Sequence, residues 1–152
     1  MKIAFHGAAR TVTGSKHLIA LDNNTQILLD CGLFQGMGHV TEKLNDFFGF
    51  DVKSVTYVIL SHAHIDHCGL LPKLVADGFN GKIFCTAATM DLGRILMMDS
   101  AKIQMQDAEF SNRHRREGDT GRALHDRRLR RSGHTLRALC DLWHQGAVGK
   151  RR

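Results

Sequence analysis

No stretch of this sequence approaches the ~18 consecutive apolar residues of a membrane-spanning helix, so no membrane partner is expected. Nor is a secretory leader expected: Met1-Lys2-Ile3-Ala4-Phe5-His6 carries one charge and no long apolar segment, and reads instead as a strand. There is no C-x-x-C pair. Cys31, Cys68, Cys85 and Cys140 lie far apart, which excludes a zinc knuckle and a disulfide framework. The expectation is a cytoplasmic chain with reduced thiols. What is present suffices for one domain, 152 residues of which 43% are apolar.

Positive charge is gathered at one end. The net charge is +6, yet residues 1–112 hold nine Lys and Arg against eleven Asp and Glu, while residues 113–152 hold twelve against four. The mildly acidic first part and the basic remainder are therefore read as separate units.

The densest chemistry lies in Ser61-His62-Ala63-His64-Ile65-Asp66-His67-Cys68-Gly69, directly after the apolar run Tyr57-Val58-Ile59-Leu60. A strand that stops at such a cluster delivers its side chains to a sheet edge. Neutral imidazole nitrogens and a carboxylate oxygen suit Zn²⁺. In extended backbone His62 and His64 point the same way and can hold one ion, whereas Asp66 and His67 follow where the chain turns and can face a second. With ten histidines in 152 residues, the pattern arises by chance roughly three times in a thousand. Cys68, beside the cluster, is read as a buried bystander.

His62-Ala63-His64-Ile65-Asp66-His67 resembles the H-x-H-x-D-H signature of the metallo-β-lactamase fold hydrolases. Gly7-Ala8-Ala9-Arg10-Thr11-Val12-Thr13-Gly14-Ser15 and Asp30-Cys31-Gly32-Leu33-Phe34-Gln35-Gly36 narrow the similarity to the β-CASP ribonuclease branch. That branch comprises relatives of the cleavage and polyadenylation specificity factor nuclease and of RNA-processing exonucleases. The similarity runs from Met1 to about Arg116.

This resemblance implies an α/β fold, the N-terminal half of a metallo-β-lactamase αββα sandwich, as a partial domain over residues 1–112. It implies two zinc ions and an RNA substrate, with His62 and His64 on one ion and Asp66 and His67 on the other. Asp66 would also be catalytic, positioning a zinc-activated hydroxide for attack on a phosphodiester. The family supplies a further histidine to each ion, a bridging aspartate and a cap domain downstream of the matched region, so a truncated form with little activity is expected. His134, in Ser132-Gly133-His134-Thr135-Leu136, faintly resembles a third metal motif but comes too soon after His67. His125 and His144 are weaker candidates still.

Two alternatives stand beside this reading. One is a thioester or lactone hydrolase of the same fold. The other is a noncatalytic fragment that binds nucleic acid through Arg127-Arg128-Leu129-Arg130-Arg131 and Lys150-Arg151-Arg152. Because the resemblance stops abruptly, residues 113–152 also read as a non-native or disordered tail, the out-of-frame remainder of a longer gene.

Elements follow from pattern. Lys2–His6 and Lys16–Leu21 read as strands around the Gly- and Thr-rich turn, and Asn23-Asn24 turns into Thr25–Leu29, apolar enough for burial on both faces. Asp30 either braces the metal loop by hydrogen bonds or is a strand-end turn residue. Val40–Phe48 reads as a helix with Leu44, Phe47 and Phe48 inward, Val55–Leu60 as the strand carrying the site, and Leu71–Asp77 as a helix started by Pro72. After strand Gly81–Cys85, Thr86 caps a long helix whose inner face is Leu92, Ile95, Leu96, Ala101, Met105 and Ala108. Met90, Met97, Met98 and Met105 read as core filler, and Asp99, Asp107 and Glu109 as solvated.

Overall fold

A computed structural model describes residues 1–36 and 38–113. The basic tail, Cys140, His125, His134 and His144 lie outside the described residues, as do the side chains of Asp107, Ala108 and Glu109. Five strands form one sheet in the order β1-β2-β3-β4-β5: β1 (Lys2–Gly7), β2 (Lys16–Ala20), β3 (Gln26–Leu29), β4 (Tyr57–Ile59) and β5 (Lys82–Phe84). The first three pair antiparallel, β1 and β2 joined by the loop 8–15 and β2 and β3 by residues 21–25, and β3, β4 and β5 run parallel because helical segments return the chain between them. Those segments are α1 (His39–Asp46) with a 3₁₀ turn at Val52–Ser54, then α2 (Ile65–Cys68) and α3 (Leu71–Ala76). A long α4 (Ala87–Arg113) follows β5. This is the α/β class expected, a mixed five-stranded sheet with helices packed against it. No helix among the described residues is long and apolar enough to cross a membrane.

Register explains where the core sits. Leu28 pairs with Val58 and Val58 with Ile83, so three buried side chains form one row across the parallel strands. Leu71 and Leu74 of α3, Met97 of α4 and the loop residues Phe48, Val52 and Val55 close over that face. The neighbouring row, Leu29, Ile59 and Phe84, points the other way and keeps solvent contact. β3 is therefore not buried on both faces as its apolar run suggests. The core gathers on the Leu28 side, and Ile27 and Leu29 are only half-buried.

Helix ends follow local chemistry. Thr86 caps α4 as expected, its Oγ1 accepting from the Thr89 amide at 3.2 Å. α1 stops at Asp46, short of Phe48, because Phe47 is already extended. Phe47 is 76% exposed, whereas Phe48 reaches the core from the loop. The inner face of α4 also differs from the periodic reading. Thr89, Gly93, Met97 and Ala101 are buried at i, i+4 spacing, while Leu92, Ile95 and Met105 are exposed and Leu96 half-buried. Apolar residues surround this helix, so periodicity alone does not choose a face, and the small residues Gly93 and Ala101 sit on the buried one. Of the four methionines only Met97 is fully in the core. Met90 is half-buried, and Met98 and Met105 are exposed.

Candidate metal centre

The parallel pairing of β3 with β4 brings two strand ends side by side, and the Asp30 amide donates to the Ile59 carbonyl at 2.9 Å just beyond the ladder. Open α/β sheets place ligand sites outside the carboxyl ends of their strands. Asp30 adopts a left-handed backbone (φ 59°), a conformation aspartate tolerates better than most residues. From there its carboxylate collects donors from the next loop. Oδ1 accepts from the Ser61 amide at 2.8 Å and Oδ2 from the Ser61 hydroxyl at 2.9 Å. Oδ2 also lies 2.8 Å from His67 Nδ1 and accepts from the Ser15 hydroxyl at 3.3 Å. The bracing role of Asp30 is thus a set of four contacts to a carboxylate only 4% exposed. Each contact offsets part of the cost of burying the charge.

The signature itself straddles a change of backbone. His62 follows the strand, His64 is the extended residue preceding α2, and Asp66 and His67 occupy the single helical turn Ile65–Cys68. That turn is closed by His67 and Cys68 amides donating to the His64 carbonyl at 2.9 and 3.0 Å. The three imidazoles meet: the His62 ring centroid is 4.5 Å from that of His64 and 4.0 Å from that of His67.

Two donor contacts stand out. His62 Nε2 and His64 Nδ1 are 3.0 Å apart, and His67 Nε2 and Asp66 Oδ2 are 3.6 Å apart. Two donors at about 2.0–2.1 Å from one tetrahedral zinc lie roughly 3.3–3.4 Å from each other, a value between these two separations. Among the described residues no three His, Cys, Asp or Glu side chains close around a single point. The residues fit zinc by donor chemistry, imidazole nitrogens and a carboxylate oxygen.

Backbone bonds lash this turn to the loop after β3. Cys31 and Leu33 amides donate to the His67 and Ile65 carbonyls at 2.7 and 3.1 Å, and the Ser15 amide to the Asp66 carbonyl at 2.9 Å. The approach is so close that a Cβ on Gly32 would sit 1.6 Å from the Asp66 carbonyl oxygen. Beneath lies Lys16, 1% exposed, its Nζ donating to the Gly32 and Gly14 carbonyls at 2.9 and 3.2 Å and resting 4.1 Å from the centre of the Phe34 ring. Burial pulls its pKa down to about 8, partly offset by the nearby Cys31. Cys68 faces inward, donating to the Ala63 carbonyl at 3.3 Å. Burial, reinforced by the charges of Asp30 and Asp66, pushes its thiol up to about 12 and keeps it protonated. Burial raises the Cys31 thiol as well.

The sequence pattern of the metallo-beta-lactamase superfamily domain matches residues 18–126. The chain belongs to that superfamily. Among its relatives, Ribonuclease TTHA0252 of Thermus thermophilus is 47% identical over 103 residues, which are 68% of this chain and 23% of that protein. Transcription termination factor FttA of Methanocaldococcus jannaschii is 32% identical over 109 residues, 72% of this chain and 17% of that one. An Integrator complex subunit 11 homolog of Dictyostelium discoideum is 33% identical over 118 residues, 74% and 16% respectively. The chain thus spans less than a quarter of these superfamily relatives.

Pattern reading singled out His62, His64, Asp66, His67 and Asp30, which the structure brings together, but gave no role to Ser61, Ser15 or Lys16. Ser61 directly precedes the signature, and a hydroxyl at a strand end is the available signal. Nothing local marks Lys16, since a lysine opening a strand ordinarily reads as exposed.

Proposed function

We propose that this chain carries the zinc-binding turn of an RNA-processing hydrolase, with His62 and His64 holding one ion and Asp66 and His67 a second. The observation that carries this reading is the meeting of these four side chains at the end of β4, with His62 beside His64 and His67 beside Asp66 at separations close to that of two ligands on one cation. Relatives named a ribonuclease, a transcription termination factor and an Integrator subunit homolog support RNA as the substrate class.

When bound, zinc ions of such a centre acidify water and neutralise the charge that grows on a phosphodiester as its P–O bond breaks. The protein's own part is to aim the donors. Asp30 accepts at His67 Nδ1 and so leaves Nε2 for the ion, and the α2 turn sets Asp66 beside it. Asp66 is the catalytic residue in this reading, because the family resemblance implies that its carboxylate would orient the attacking water. Two protein donors per ion among the described residues fall short of the three usual at catalytic zinc. These 152 residues alone are therefore expected to bind zinc weakly and to turn over RNA slowly or not at all.

The test is a zinc titration of the purified chain beside His62→Ala and Asp66→Ala variants, followed by an assay of labelled RNA against a thioester. Weak zinc binding lost in both variants, with any residual turnover confined to RNA, is the expected result. Zinc binding unchanged by the substitutions would overturn the site, and preference for the thioester would overturn the substrate class. Two tightly held equivalents with robust turnover would overturn the expectation of weak activity.

A further inference from the structure

One hydroxyl touches both halves of the donor set. Ser61 Oγ lies 2.9 Å from Asp30 Oδ2, 2.9 Å from His62 Nδ1 and 3.3 Å from His67 Nδ1. Its backbone amide is also held by Asp30, at 2.8 Å from Oδ1, so the serine is pinned by both its main chain and its side chain.

Proton counting gives this arrangement a direction. A carboxylate only accepts, whereas a serine hydroxyl has one proton to give and lone pairs to receive. The charge-assisted bond to Asp30 Oδ2 is the stronger use of that proton. What the hydroxyl then presents to His62 is a lone pair, which calls for a proton on His62 Nδ1. At His67 the same carboxylate calls for a proton on Nδ1 directly. In both rings Nε2 is left with its lone pair, and these are the two nitrogens that face His64 Nδ1 and Asp66 Oδ2.

We propose that Ser61 is a positioning residue that relays the Asp30 carboxylate to His62, fixing His62 and His67 in the same Nδ1–H tautomer with Nε2 free for a cation. The relay links the two donor pairs through one buried anion, so both imidazoles are set before any ion arrives. Its consequence for zinc rests on the reading of these rings as ligands. The tautomers themselves do not, because they belong to the metal-free chain.

The experiment reads ring protons. The full chain, ¹⁵N-labelled and stripped of metal, is studied by long-range ¹H–¹⁵N NMR at about pH 8.5, some two units above the ordinary imidazole value. Wild-type protein is expected to carry its proton on Nδ1 of both His62 and His67. Ser61→Ala should move the His62 proton toward Nε2 while His67 keeps the Nδ1 pattern, which also reports that the Asp30 contact and the loop are intact. Ser61→Thr, which restores the hydroxyl, should restore the His62 pattern. Zinc affinity should fall about 10–100-fold in the alanine variant and recover with threonine.

A wild-type His62 protonated on Nε2, or a His62 pattern indifferent to Ser61→Ala, would overturn the relay. If the alanine variant loses the His67 pattern as well, the threonine variant decides, since failure to restore His62 alongside an intact His67 sinks the proposal. Expected tautomers in a chain that takes up no zinc would instead count against the proposed function and leave the relay standing.

Discussion

His67 Nδ1 lies 2.8 Å from Asp30 Oδ2, a contact between residues 37 apart in the chain. It joins the end of β3 to the α2 turn and gives that turn an orientation that no neighbour in sequence supplies. The left-handed backbone of Asp30 allows it. The carboxylate is directed across the strand ends from a conformation most residues avoid.

Asp30→Asn should keep the fold, because asparagine also tolerates left-handed backbone, but it replaces one acceptor by a donor facing donors. Zinc affinity is expected to fall about 10–100-fold, the usual effect of losing an outer partner of a ligating histidine. A competition titration with a chelator, with circular dichroism as the control for folding, measures it. Unchanged affinity would show that the contact is incidental to the ion.

Gly32→Ala and Gly36→Ala separate close approach from backbone freedom. At Gly32 the added methyl would meet the Asp66 carbonyl at 1.6 Å, so the α2 turn has to move, and loss of soluble folded protein is expected. Gly36 has nothing within 4 Å of an added Cβ and costs only its left-handed conformation, about 1 kcal/mol. Urea midpoints of the two variants give the comparison, and equal midpoints would contradict it.

Lys16 predicts an alkaline stability profile. Its folded pKa of about 8 lies below the ordinary 10.5, so above pH 8 the unfolded chain binds the extra proton and stability rises with pH. The buried thiols act oppositely. Cys31 and Cys68 ionise in the unfolded chain from about 9 but stay protonated when folded, so stability falls beyond that point. A maximum near pH 9 is expected in urea midpoints taken across this range. In Lys16→Met the rise from pH 8 to 9 should vanish while the fall remains.

Met97→Ala and Ile95→Ala test which face of α4 is inward. Met97 is buried in the core cluster, and truncating it should cost about 2–5 kcal/mol. Ile95 is 66% exposed, and the same truncation should stay within about 0.5 kcal/mol. Chemical denaturation distinguishes them, and a reversed order would return the inner face to the one periodicity suggested.

The local parts of the site were legible because short-range geometry fixes them. An apolar run ending at His62-x-His64 puts two imidazoles on one side of extended backbone, and the following Asp66-His67 needs only one turn of helix to stand beside them. The cap at Thr86 likewise follows from spacing. The inward face of α4 and the end of α1 were not legible. Both depend on what packs against them, and Phe48 reaches the core from a loop while Ile95 on the helix does not.

The sequence by itself determined which side chains gather at the end of β4, His62, His64, Asp66 and His67, because imidazole and carboxylate chemistry resides in side-chain type and close spacing. Only the tertiary structure decided which nitrogen of each ring faces outward, how Asp30 and Ser61 govern that choice, and why a lysine is buried beneath. These rest on contacts between segments that meet only when β2, β3 and β4 lie side by side. Burial and long-range hydrogen bonds are set by the assembled sheet, and no local pattern encodes them.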